Sequence, residues 1–256
     1  VHDIGPRRQT LLQRTPVALS WIRRALALTR VLLGLAASTL SRAALEGQTS
    51  QGSSGPDAPW QYLFDGQIPH GWRAWQGRHF PKQGWVITNQ CLFRWPGPRA
   101  GDLVTEAEFE DFELEWEWKI VSGGNHGVKY LVLESRPNAP GHEYQMVDDS
   151  TVSDPRHRTA AFYDVLAPDP AARPRPPGEW NRSRIVVRGT TVEHWLNGQR
   201  VLQYDLGSPV LLRAIQASKF RNAPGFGQKC RGRIMLTDHG TETWFRNLRV
   251  RVLSSS

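Results

Sequence analysis

Cysteine is nearly missing from this chain: two residues, Cys91 and Cys230, in 256. One pair at most is no framework, which excludes a small disulfide-stapled scaffold. In an exported protein the two can pair; two buried, unpaired thiols are the other reading. No CxxC or Cys/His spacing of a zinc site occurs. There is no P-loop, no G-x-S-x-G and no H-E-x-x-H, so phosphate cradling, a serine nucleophile elbow and zincin chemistry have no anchor here. Internal repeats are absent and helical periodicity is scarce. The one clear apolar run, Val31 to Leu40, is about half of the roughly 20 residues needed to span a bilayer.

Positive charge is unevenly placed. Residues 1–43 hold seven Arg and one Asp, so +6 of the total +8 lies there and +2 remains for the rest. A basic stretch, the apolar run and then Ser41-Arg42-Ala43 form a signal-peptide layout. Export to the periplasm or the cell exterior is the expectation, and an uncleaved interfacial anchor, with membrane contact only through this segment, is the alternative. The high pI is then a property of the leader, and nucleic-acid binding is not expected. Residues 44–59 are rich in Gly, Ser and Pro and read as a flexible linker. Residues 60–253 suffice for one sizeable core and one domain.

That remainder is full of strand signals. Phe112 to Ile120 alternates apolar and charged over nine residues, which predicts a half-buried strand with Glu113, Glu115 and Glu117 on a solvated outer side. Asn197-Gly198 is a hairpin turn, since a type I′ turn needs positive φ at both central residues. It joins an arm with Val192, His194 and Leu196 on one face to Val201–Tyr204. Asn89-Gln90 joins two shorter arms. Further strands are expected at Trp60–Phe64, Val128–Leu133, Tyr144–Val147, Ile185–Val187, Ile234–Leu236 and Phe245–Val252, with a short helix near Leu211–Ser218. About ten short strands predict an all-β sandwich or jelly roll of antiparallel sheets. Trp85, Trp116, Trp118 and Trp195 suit core or sheet-face positions. The irregular stretch Ser150–Pro177 is a candidate functional loop.

Four patches place polar residues on a strand pattern: GGNHGVKY (Gly123–Tyr130), GHEYQMVDD (Gly141–Asp149), HRTAAFYDV (His157–Val165) and LTDHGTETWFRN (Leu236–Asn247). Each has a plain reading as a surface charge, an exposed strand face or a turn. Together they nominate one polar hollow on a curved sheet.

The same residues carry a resemblance. GDLVTEAEFEDFELEWEWKI, GGNHGVKY, GHEYQMVDD, HRTAAFYD, PPGEWNRSRIVVRGTTVEHWLNGQRV, SKFRNAPGFG and RGRIMLTDHGTETWFRNLRVRVL resemble the 3-keto-disaccharide hydrolase family, in order, over about residues 60–253. His126, Phe162 and Thr237 depart from its usual Ser, Leu and Gln. The resemblance implies a concanavalin A-like jelly roll that cleaves 3-keto-glycosides. A C3 ketone acidifies the C2 proton; a base removes it, a donor stabilises the enolate, the C1 oxygen leaves, and water adds to the product. An upstream oxidoreductase would make the ketone, so no redox cofactor is required; a divalent metal is an option. On this reading Glu143 is the base, with Lys129 and His239 serving the enolate or the leaving group. Asn125, Gln145, His157, Tyr163, Lys219 and Arg246 bind substrate, and Asp148 and Asp238 orient those groups or hold a metal. A sugar-binding module without turnover and a two-carboxylate glycosidase are the competing readings.

Overall fold

The nine-residue alternation of Phe112–Ile120 becomes the central strand of the larger of two sheets. In the computed structural model, which describes residues 57–254, the order is β1 (Gln61–Phe64), β2 (Trp72–Ala74), β3 (Trp85–Thr88), β4 (Cys91–Arg94), β5 (Leu103–Thr105), β6 (Phe112–Ile120), β7 (Asn125–Val132), β8 (His142–Val147), β9 (Asn181–Arg188), β10 (Thr191–Leu196), β11 (Gln199–Asp205), α1 (Pro209–Gln216), β12 (Arg233–Leu236) and β13 (Thr243–Val252). The expected leader at 1–43 and all but the last residues of the expected linker at 44–59 lie outside the described residues.

The larger sheet has eight strands in the order β11-β10-β9-β6-β13-β4-β3, with β1 on β13; the smaller has five, β2-β5-β12-β7-β8. Every pairing between these strands is antiparallel. The all-β expectation holds, and the Asn89-Gln90 and Asn197-Gly198 turns adopt the positive φ their hairpins require. β2 and β5 are additions that the strand pattern had not revealed: three residues each are too short to show a period.

The inner faces of the two sheets meet in one core. Leu114, Trp116 and Trp118 of β6 face Val128, Tyr130 and Tyr144 of β7 and β8, and the Trp116 and Tyr144 rings cross edge to face at 5.0 Å. Within this core runs a chain of neutral polar groups. His194 Nδ1 lies 2.8 Å from the Ala160 carbonyl and must donate to it. Its Nε2 therefore accepts from Tyr130 Oη at 2.7 Å. Tyr204 donates to Tyr130 and accepts from His142 Nδ1 at 2.9 Å. The order of donors fixes each tautomer.

One expectation changes. Glu113 and Glu115 are buried rather than solvated, because Arg184 and Arg251 fold over the first and Arg182 and Arg249 over the second. Long guanidinium side chains from the flanking strands cover what a single strand's alternation marks as outward. Of the two readings of the cysteines the unpaired one holds: both are free thiols, Cys91 buried and Cys230 half-buried.

Candidate functional site

The outer face of the smaller sheet is where the polar patches converge. β7 and β8 pair so that Lys129 stands opposite Glu143 and Gly127 opposite Gln145. On β12, Met235 is the neighbour of Lys129. Side chains alternate, so Val128, Tyr130, Tyr144 and Met146 enter the core while Lys129, Glu143 and Gln145 share the other face. Beside them a separate apolar group, Val104, Val132 and Met235 with Trp75 packed against it, closes part of that face.

Glu143 is the centre. It is 7% exposed, and Lys129 Nζ lies 3.7 Å from its Oε2. Burial pushes its carboxyl above the ordinary 4.5; Lys129 and Lys219 pull it back and Asp102 pushes it further up. Space for the carboxylate exists because residue 127 is glycine: a Cβ there would stand 2.3 Å from Glu143 Oε1.

The loop after β8 supplies one wall. It runs alongside the strand: the Gln145 amide donates to the Ala161 carbonyl at 3.2 Å, the Ala160 amide to the Gln145 carbonyl at 2.8 Å and the Tyr163 amide to the Glu143 carbonyl at 3.0 Å. Tyr163 stacks on His157 at 4.8 Å, and Lys219 Nζ sits 4.1 Å from the centre of the Tyr163 ring. Asp164 ties the group together, since its carboxylate accepts from the Lys219 amide and pairs with His157 at 2.8 Å. Burial lowers the Lys219 ammonium from its usual value, against the pull of Glu143 and Asp164.

The opposite wall is the β12–β13 turn. Burial lowers the His239 imidazole below the ordinary 6.5, with Arg99 and Lys129 acting in the same direction. Arg99 Nη2 is 3.4 Å from His239 Nδ1, which places the proton of the neutral ring on Nε2. Asn125 and Gln145 are joined by an amide–amide bond of 3.3 Å on the same face. The structure thus brings together Glu143, Lys129, His239, Asn125, Gln145, His157, Tyr163 and Lys219. A buried carboxyl flanked by ammonium groups and a neutral imidazole can take up a proton from carbon and hold an oxyanion.

Arg246 does not join this group, and neither Asp148 nor Asp238 has a carboxylate free for a metal. Arg246 lies on β13, in the other sheet, where it binds Glu117 at 2.7 Å and lies over Trp180; sequence proximity to His239 hid the crossing from one sheet to the other. Asp148 spends its carboxylate on the amides of Gly123 and Ser150 and the Ser150 hydroxyl, as the cap of a one-turn helix. Asp238 is saturated by Arg94 at 2.6 Å and by the amides of Ala100, Gly101 and Gly240. Among the described residues no three His, Cys, Asp or Glu side chains gather as a metal set. Asp238 instead holds the loop that carries Arg99 against the turn that carries His239.

Sequence reasoning missed Asp102, Arg99, Asp164 and Gly127. Asp102 acts on both Glu143 and His239, and its carboxylate accepts from the Asp238 amide at 2.8 Å. It stands just before the unrecognised β5. Asp164 was legible as a polar residue inside the His157–Val165 patch.

Residues 59–251 match a family model described as a 3-keto-alpha-glucoside-1,2-lyase-like domain. A 3-keto-disaccharide hydrolase of Bacteroides thetaiotaomicron is 34% identical over 227 residues, covering 75% of this chain and 77% of that protein. Among solved structures, a candidate glycosyl hydrolase of Parabacteroides distasonis superposes with a TM-score of 0.68 at 29% identity, over 76% of this chain and 94% of that one. A second from the same organism gives a TM-score of 0.63 at 25% identity, over 76% and 100%.

Proposed function

The chain belongs to the 3-keto-alpha-glucoside-1,2-lyase-like family and is a hydrolytic enzyme, and from that premise we propose that it cleaves 3-keto-glycosides by elimination and hydration. The observation that carries the reading is the buried Glu143 facing Lys129 across paired strands, with His239 beyond. Glu143 takes the proton from C2. The electron pair moves onto the C3 ketone oxygen as an enolate, which the Lys129 ammonium and the Nε2–H of His239 receive. Collapse of the enolate expels the C1 oxygen, which takes a proton. Water then adds across C1 and C2, so the net change is hydrolysis. Burial of Glu143 suits a base that operates near neutrality.

Asn125 and Gln145 are placed to bind ring hydroxyls, and the Tyr163–His157 stack forms a wall for the sugar. The ketone is made beforehand by an oxidation of the 3-hydroxyl, the work of a separate oxidoreductase. The fold is read as a concanavalin A-like jelly roll, and the site of action as outside the cytoplasm. The reaction as written needs no metal.

The test is to incubate purified protein with a 3-keto-glucoside and with its unoxidised parent, with and without chelator. Cleavage of the ketone alone is expected. Glu143→Gln should lower turnover by about 10²–10⁴-fold, the usual worth of a general base, with an unchanged circular-dichroism spectrum. Equal cleavage of the unoxidised parent would point instead to a two-carboxylate glycosidase, with Asp102 the acid near Glu143.

A further inference from the structure

The β7–β8 connection and the segment that follows α1 line an open-mouthed cavity of about 840 Å³. Leu133, Ala139, Phe220 and Ala223, all buried or half-buried, make one wall apolar, and the exposed Ser135, Asn138 and Asn222 stand at its mouth. Phe220 is held by stacking on the core residue Phe226 at 4.5 Å. At the margin Arg136 lies over the same Phe226 ring, and its Nε is buried without a hydrogen-bond partner. Lys219 belongs to both places. It lines this cavity, and its ammonium acts on Glu143.

We propose that a glycoside cleaved at Glu143 sets its sugar against Tyr163 and Lys129 and its leaving group beyond Lys219, so that this cavity is the leaving-group subsite, and that it selects 3-keto-glycosides of planar aromatic alcohols over those of a second sugar. The proposal rests on the function argued above and adds the class of leaving group. The volume is within the roughly 300–1,000 Å³ of small-molecule pockets. Against the apolar wall a second sugar would set hydroxyls beside side chains that cannot bond them, whereas an aromatic ring buries a face there. Cations at the rim suit a phenolate: as the C1–O bond breaks, its electron pair stays on the phenol oxygen beside Lys219 and Arg136, and a proton neutralises it on release.

The test compares kcat/KM for the phenyl, methyl and glucosyl 3-keto-glucosides in the wild type, in Asn222→Trp and in Ala223→Leu. Asn222 is an exposed rim position, so filling the mouth from there leaves the core intact. Both variants should lose about tenfold or more on the phenyl substrate, mainly through KM, while the methyl substrate, which does not reach the cavity, is unaffected. Equal effects on phenyl and methyl substrates, or none on either, would overturn the proposal. So would a wild-type preference for the glucosyl substrate that the variants abolish, since the cavity would then seat a sugar. Failure of the wild type to cleave the methyl substrate would remove the parent reading as well, and the methyl arm tells the two failures apart.

Discussion

At Glu143 burial and charge pull in opposite directions. Loss of water raises the carboxyl's pKa, while Lys129 at 3.7 Å and the more distant Lys219 hold it down. A base works only in its ionised form, so the acid limb of kcat/KM should follow Glu143 and lie above the ordinary 4.5. Lys129→Met removes a group that lowers that pKa. The acid limb should therefore move to higher pH, in addition to any loss of rate, and a pH profile of kcat/KM checks it. A limb that stays in place would show that another group governs the protonation. Gly127 belongs to the same argument, since any side chain there would push the carboxylate out of register with Lys129.

Among the elements, the β12–β13 turn depends on one buried ion pair. Arg94 and Asp238 have side chains 1% and 0% exposed, and Asp238 also gathers three backbone amides. Removing one charge of a buried pair leaves the other without a partner, at a cost of about 3–5 kcal/mol. Asp238→Asn should lower stability by that order in urea unfolding. It should also reduce kcat/KM in the protein that remains folded, because Arg99 and His239 sit on the two segments that Asp238 joins. The isolated strand pattern gave no hint of this role; Asp238-His239-Gly240 reads as an ordinary turn.

For the molecule as a whole, two buried histidines set a limit on acid tolerance. Burial brings His194 down to about 4 and His142 to about 3, from the ordinary 6.5. The unfolded chain takes up protons below about 6.5 and the folded chain does not. Stability is then complete above that value and falls as pH drops towards the folded pKa values. The expected slope is about 1 kcal/mol per pH unit for each histidine in this window, seen as a falling Tm. His194→Gln should flatten the slope by one group's share. An unchanged slope would mean that His194 is not held neutral in the core.

Alternation of β6, the two Asn-led hairpin turns and the strand-rich remainder were enough to read an all-β chain of antiparallel sheets, because period and turn chemistry are local properties. The parity of β7 and β8 likewise put Asn125 with Lys129 and Glu143 with Gln145. Pairing is not local. Only the tertiary structure decided that β7 and β8 lie side by side in the smaller sheet, that His239 closes on them and that Arg246, seven residues further on, belongs to the other sheet. It also decided that Glu113 and Glu115 are covered, since the arginines over them come from strands far away in sequence. Residue types and periods act along the chain, whereas burial, charge coupling and the competition of amides for a carboxylate act through space.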